Sequence, residues 1–127
     1  MPRAEFQKWR RSTAISGGVP LVALHQRGLF SLNDAAFEKL DRPEAVELFY
    51  NPDEMIVAFK SAPKESPDSY IVRRHTKSSF QVEGRAFMRF WGIPKEATGR
   101  RYRAELEDDI LTVNLKQGDD HNEDGEG

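Results

Sequence analysis

A chain of 127 residues with 38 per cent hydrophobic and 31 per cent charged residues has the make-up of a soluble globular domain, and no apolar run approaches the roughly twenty residues of a membrane helix. It contains no cysteine, which excludes disulfides, thiol catalysis and the common zinc sites. The net charge of −2 conceals a basic middle, with ten Lys or Arg against four acids from Ser61 to Arg103, and an acidic end, with one Lys against nine acids from Ala104 to Gly127. Such a split predicts an anionic partner for one region and a solvating or competing tail for the other.

Residues 1–18 are expected to be a basic arm or a short helix, with Phe6 and Trp9 among Lys8, Arg10 and Arg11. Positive charge with no following apolar run does not make a secretory signal, so a cytoplasmic location is expected. Gly17, Gly18 and Pro20 then punctuate the chain. LVALHQ begins a strand, Arg27 and Gly28 make a turn, and LFSL returns as a second strand. Asn33 or Asp34 caps a helix over DAAFEKL, where Ala36, Phe37 and Leu40 share a core-facing side. Pro43 ends that helix. AVELFY and MIVAFK form a hairpin around the turn residues NPDE.

SAPKESPDS, residues 61–69, reads as a linker. The order then repeats: YIVRRH as strand, TKSS as turn, FQV as strand, and EGRAFMRFW as helix with Phe87, Phe90 and Trp91 inward and Arg85 and Arg89 on the other face. Gly92 stops the helix, and RYRAELE and ILTVNLK close with a hairpin turning at Glu107 to Asp109. Residues 117–127 carry five acids and three glycines and are expected to be disordered.

Two registers relate the halves. A shift of fifty lays Leu21, Val22, His25, Arg27, Phe30, Leu32, Ala36, Phe37 and Leu40 on Ile71, Val72, His75, Lys77, Phe80, Val82, Ala86, Phe87 and Phe90, and a shift of fifty-six lays Val46–Phe59 on Tyr102–Leu115. Residues 19–60 and 70–116 therefore read as one unit written twice. A unit of about 45 residues buries too little apolar surface alone, so the two must share a core. The expected fold class is α+β, mainly β, with two β-β-α-β-β units interleaved into one small barrel.

Strand, turn, strand, short helix and hairpin, as in GVPLVALHQRGLFSLNDAAFEKLDRPEAVELFYNPDEMIVAFKS, resembles the swapped-hairpin unit of the AbrB, MazE and MraZ families. The resemblance spans about residues 19–116 and looks like MraZ, whose two units are tandem in one chain. The family's Gly-Arg before the second strand is here Gly28-Leu29 and Ser78-Ser79. Its Pro positions hold Asn33 and Glu83, and Phe37 and Phe87 stand in place of a helix arginine. The Asp-x-x-x-Arg signature of MraZ is not evident.

The resemblance implies DNA binding, as by a transcriptional regulator, through Arg73, Arg74 and Lys77 on the first strand and turn of the second unit, with Arg27 as the equivalent in the first. Arg85, Arg89, Arg100, Arg101 and Arg103 extend the basic face, and Arg10 and Arg11 add an arm. Lys and Arg that neutralise phosphates release counterions, which makes such binding salt-dependent. Two alternatives stand beside it: a solvated charged face with no ligand, and an interaction module, an antitoxin-like partner with an acidic tail; a homo-oligomer or a protein partner is the expected association. Neither a membrane nor a cofactor is implied.

An enzyme is not expected, because no nucleophile and base, paired carboxylates or metal set is signalled. Asp108 and Asp109 are turn residues, and Glu105 and Glu107 face outward. His25 and His75, equivalent under the fifty-residue shift, could meet at a metal or a proton-sensitive contact, although partly exposed strand histidines are the plainer expectation. Phe80, Phe87, Phe90 and Trp91 have faces suited to stacking on bases, yet their spacing reads as core.

Overall fold

The computed structural model describes residues 18–118. The arm expected over residues 1–18 lies outside the described residues except for Gly18, and the expected acidic tail lies outside them beyond Gly118. The elements run β1 (Leu21–Leu24), β2 (Leu29–Asn33), α1 (Asp34–Lys39), β3 (Ala45–Asn51), β4 (Ile56–Ala62), β5 (Tyr70–Thr76), β6 (Ser79–Glu83), α2 (Arg85–Trp91), β7 (Arg100–Glu107) and β8 (Ile110–Asn114). Short 3-10 turns occupy Lys95–Ala97 and Leu115–Gln117.

Alternation along each strand sends one set of side chains inward. Val22 and Leu24, Phe30 and Leu32, Val57 and Phe59, Phe80 and Val82, Tyr102 and Ala104, and Leu111 and Val113 are all buried. The strands close into an eight-stranded barrel in the order β1-β2-β6-β5-β3-β4-β8-β7, every neighbour antiparallel. Hairpins from residues 21–62 and from residues 70–114 therefore alternate around the barrel. Closure gives each of the eight strands a hydrogen-bonded neighbour on both sides, over part of its length at least. A barrel of eight strands has an interior that side chains just fill, and here Phe30 meets Phe59 edge-on across it at 5.2 Å between ring centroids.

The seams are unequal. β1 and β7 pair over Leu21–Leu24, whereas β3 and β5 pair only at Ala45 with Ile71 and Val46 with Tyr70, extended by the Val72 amide donating to the Glu44 carbonyl at 2.9 Å. Residues 63–69 are more than a spacer. The Ser66 and Ser69 amides donate to the Pro63 and Ser66 carbonyls, and the Ser66 hydroxyl donates to the Glu47 carboxylate at 3.1 Å.

Asn33 caps α1: its Oδ1 accepts from the amides of Ala36 at 2.9 Å and Leu21 at 3.0 Å, and its Nδ2 donates to the Val19 carbonyl at 2.9 Å. One side chain thereby ties the helix start to β1 and the segment before it. Ala35, Ala36, Phe37 and Leu40 are buried as the spacing requires, and Glu38 is buried with them, held by Arg42 at 3.3 Å. The second helix corrects the expectation. Phe87 is buried, but Phe90 is 78% and Trp91 39% exposed, and Met88 takes the inward place. With the buried side centred between Phe87 and Met88, a step of about 100° per residue turns Phe90 about 110° away from the core.

A gapless shift of fifty-six cannot run through both hairpins. Asn51 pairs with Ile56 across a four-residue turn, whereas Glu107 pairs with Ile110 across two residues, so the offset is 56 before the turn and 54 after it.

Candidate nucleic-acid interface

The β1–β2 turn and α2 meet through two glycines. The Gly84 amide donates to the Gly28 carbonyl at 2.7 Å. Gly28 has φ +92, and a Cβ there would stand 2.7 Å from the Arg85 Cα; a Cβ at Gly84 would stand 2.4 Å from the Phe30 ring. Only a residue without a side chain permits either approach. The Arg85 Nε then donates to the Arg27 carbonyl at 3.2 Å, fixing the start of α2 against the turn.

This junction makes a groove of about 530 Å³ whose charged lining is Arg27, Arg85, Arg89 and Lys95, above Met88 and Ile93. On the other side of α2 a second groove of about 490 Å³ lies between the helix and β5, where Arg85 and Arg89 face Arg73 over Tyr70 and Ile71. The carboxylate in that second groove, Glu83, sits 3.9 Å from the Arg85 Nε. Five cations from four separate stretches of chain thus converge around a seven-residue helix. Like charges held this close are unfavourable to one another and favourable to an anion that bridges them.

Of the residues expected at the site, Arg27, Arg73, Arg85 and Arg89 are in this cluster. Lys95 joins them without having been expected. Its only sequence signal is a basic residue in the loop after Gly92, and nothing local says that this loop returns to the β1–β2 turn.

Arg101 and Arg103 stand on the outer face of β7. Register links Arg101 to Ala23, Ala23 to Ser31, Ser31 to Gln81 and Gln81 to Arg73, so these five side chains form one row across β7-β1-β2-β6-β5. At about 4.8 Å per strand the two arginines are about 19 Å apart along the sheet, with Ser31 and Gln81 between them. Arg103 is one step along, opposite Leu21.

Arg74 and Lys77 are elsewhere, at the opposite end of β6 from α2. The Arg74 guanidinium lies 5.1 Å over the Phe80 ring and donates to the Lys77 carbonyl at 3.1 Å. Phe80 stacks on Phe37 at 3.8 Å, and Arg42 lies 5.2 Å over the far side of Phe37. Arg74 is thereby the outer layer of a cation, ring, ring, cation stack that closes this end of the barrel. Comparison with protein-family models, curated proteins and solved structures finds no match to this chain.

His25, beside Arg27, has its proton affinity held below the ordinary histidine value, first by burial and then by the positive charges of His75 and Arg27. That environment opposes adding charge to an already basic rim. Among the described residues no group of three or more His, Asp or Glu is placed to hold a metal ion, and no helix is long and apolar enough to cross a membrane.

Proposed function

We propose that this protein binds DNA through the basic surface around α2, with the row from Arg73 to Arg101 as its lateral extension, in the manner of a transcriptional regulator. The observation that carries this reading is the convergence of Arg27, Arg73, Arg85, Arg89 and Lys95 on two adjoining grooves. Cations grouped on one side suit a phosphate backbone, which binds by displacing condensed counterions. Ser31 and Gln81 between Arg73 and Arg101 supply uncharged hydrogen-bonding groups where base edges would lie.

The reading includes a chain that is a dimer in miniature, in the swapped-hairpin manner. Three observations support that part. Exchanging β1, β2, β3 and β4 for β5, β6, β7 and β8 turns each strand pairing into another of the same set. Val22 pairs with Leu32 as Val72 pairs with Val82, both moved by fifty, and the cross-pair Ser31 with Gln81 is itself fifty apart. The ring contact of Phe37 with Phe80 has its exchanged counterpart in Phe87 with Phe30.

The test is fluorescence anisotropy of labelled DNA against wild type and the Arg73→Glu, Arg89→Glu double variant. A loss of at least tenfold at low salt, shrinking as salt rises, is expected. Undiminished and salt-insensitive binding, or none by the wild type, removes the reading.

A further inference from the structure

Phe90 lies mostly in water, although a phenyl ring of its size is ordinarily turned inward. It is not loose. Its ring meets Trp91 edge-on at 5.1 Å, Trp91 meets Tyr50 at 5.6 Å, Tyr50 meets Phe87 at 6.3 Å, and Phe87 meets the buried Phe30 at 6.1 Å. A chain of rings runs from the core to the surface and ends on an open face. The helix phase sets where that face is. Phe90 stands one turn beyond Ala86 on the same side of α2 and directly after Arg89, and Ala86 and Arg89 line the groove in which Arg73 and Arg85 flank Tyr70 and Ile71.

Arginines along an apolar floor, with an exposed aromatic ring one helical turn beyond the groove's Ala86, are complementary to a polyanion whose units carry flat apolar faces. Duplex DNA offers phosphates but hides those faces in its stack. A single strand offers both, and every base has a face to stack, which is why such sites tolerate varied sequence. We propose that the nucleic acid is taken as a single strand, its backbone following Arg73, Arg85 and Arg89 and an unpaired base stacking on Phe90. This rests on the DNA-binding reading and narrows it to one strand form. An acidic peptide would use the arginines and leave the ring idle, and an apolar protein knob would accept any side chain of similar bulk.

The experiment compares a labelled oligothymidylate with a labelled duplex of equal length, using the full chain and the variants Phe90→Ala, Phe90→Leu and Phe90→Trp. The side chain is exposed, so thermal melting of the variants should match the wild type. Tighter binding of the oligothymidylate than of the duplex is expected. Phe90→Ala and Phe90→Leu should weaken oligothymidylate binding by about fivefold to a hundredfold, the range for one base-aromatic stack, and Phe90→Trp should retain it. Preference for the duplex, an unchanged affinity in Phe90→Ala, or full retention in Phe90→Leu overturns the proposal. If Arg73→Glu and Arg89→Glu still weaken binding in that case, the broader DNA reading survives alone. If neither oligonucleotide binds the wild type, both fall.

Discussion

If the proposed DNA binding holds, its salt dependence follows from the number of cations that meet phosphates. Arg27, Arg73, Arg85, Arg89 and Lys95 line the two grooves beside α2. If each neutralises one phosphate, the logarithm of the association constant falls against the logarithm of salt with a slope of about −4.5 for duplex and about −3.5 for a single strand. Between about 50 and about 200 mM salt that is a loss of about 500-fold and about 130-fold respectively. Arg89→Ala is the informative change. Its side chain makes no hydrogen bond or ion pair within the described residues, so removing it takes away charge without loosening the fold. Arg85, bonded to the Arg27 carbonyl, does not offer that separation.

The variant should lower the slope by about 0.9 on duplex and about 0.7 on a single strand, measured by anisotropy over a salt series. Arg74→Ala is the contrasting control. It removes a cation at the other end of β6, so the slope should stay where it was, while the lost contact over Phe80 lowers stability by about 0.5–1 kcal/mol. A wild-type slope near zero, or equal slope changes from Arg89→Ala and Arg74→Ala, refutes the assignment of charge to the α2 end.

Asn33→Ala removes the α1 cap together with its bonds to the Leu21 amide and the Val19 carbonyl, and should cost about 1–2 kcal/mol in chemical denaturation; Asn33→Asp keeps both acceptor bonds and should cost less. The buried Tyr102 hydroxyl donates to the Ala97 carbonyl, so Tyr102→Phe should lose about 1–3 kcal/mol near neutral pH by leaving that carbonyl without its donor. Burial also pushes Tyr102 up to about 12 from 10.0, against the opposing pull of Arg100. Because the folded value is the higher one, its contribution to stability is complete below about pH 10 and declines as pH rises towards about 12; denaturation at alkaline pH should show a shallower fall in Tyr102→Phe. Gly28→Ala places a Cβ against the Arg85 backbone at a left-handed φ, which should cost about 1–3 kcal/mol and weaken DNA binding by displacing Arg85.

Most of the strands were legible because they bury one face, and β5 at least half-buries Tyr70 and Val72. The turn residues in NPDE and at Asp108 and Asp109 mark hairpins, and Asn33 marks the helix start, all within a few residues of the structure they specify. The partners that close the barrel were not legible from local pattern. β1 meets β7 across nearly eighty residues of chain, and no alternation says which distant strand will lie alongside. The site shows the same division. Arg73 and Arg74 are adjacent in sequence and read as one basic pair, yet alternation points them to opposite faces, and the face opposite Arg73 carries Phe80, on which Arg74 is spent. Phe90 departs from its expected inward place for a related reason. Its equivalence to the buried Leu40 presumes that both helices seat with the same side down, but α1 buries Ala36 and Leu40 where α2 exposes Ala86 and Phe90.

On the proposed reading of the chain as a dimer in miniature, that difference between the helices bears on why its two halves are unequal. In a dimer of identical chains any residue placed at one end of the barrel is placed at the other as well, so a basic groove must be built twice and both ends must tolerate its charge. Here the α1 end is closed by Arg42, Phe37, Phe80 and Arg74 in one stack, with the carboxylate of Glu38 drawn inside. At the α2 end the contact between Phe87 and Phe30 closes the barrel from within, and Met88 occupies the inward place. The outer side of α2 is then released from packing, and Arg85, Arg89 and Phe90 are the residues found on it. Repulsion among the cations is confined to one end, where a bound phosphate chain would relieve it, while the other end supplies stability that does not depend on a ligand. Charge reversal at Arg89 should therefore leave the thermal stability of the free protein unchanged or raised while binding is lost, the opposite of what a structural arginine would do.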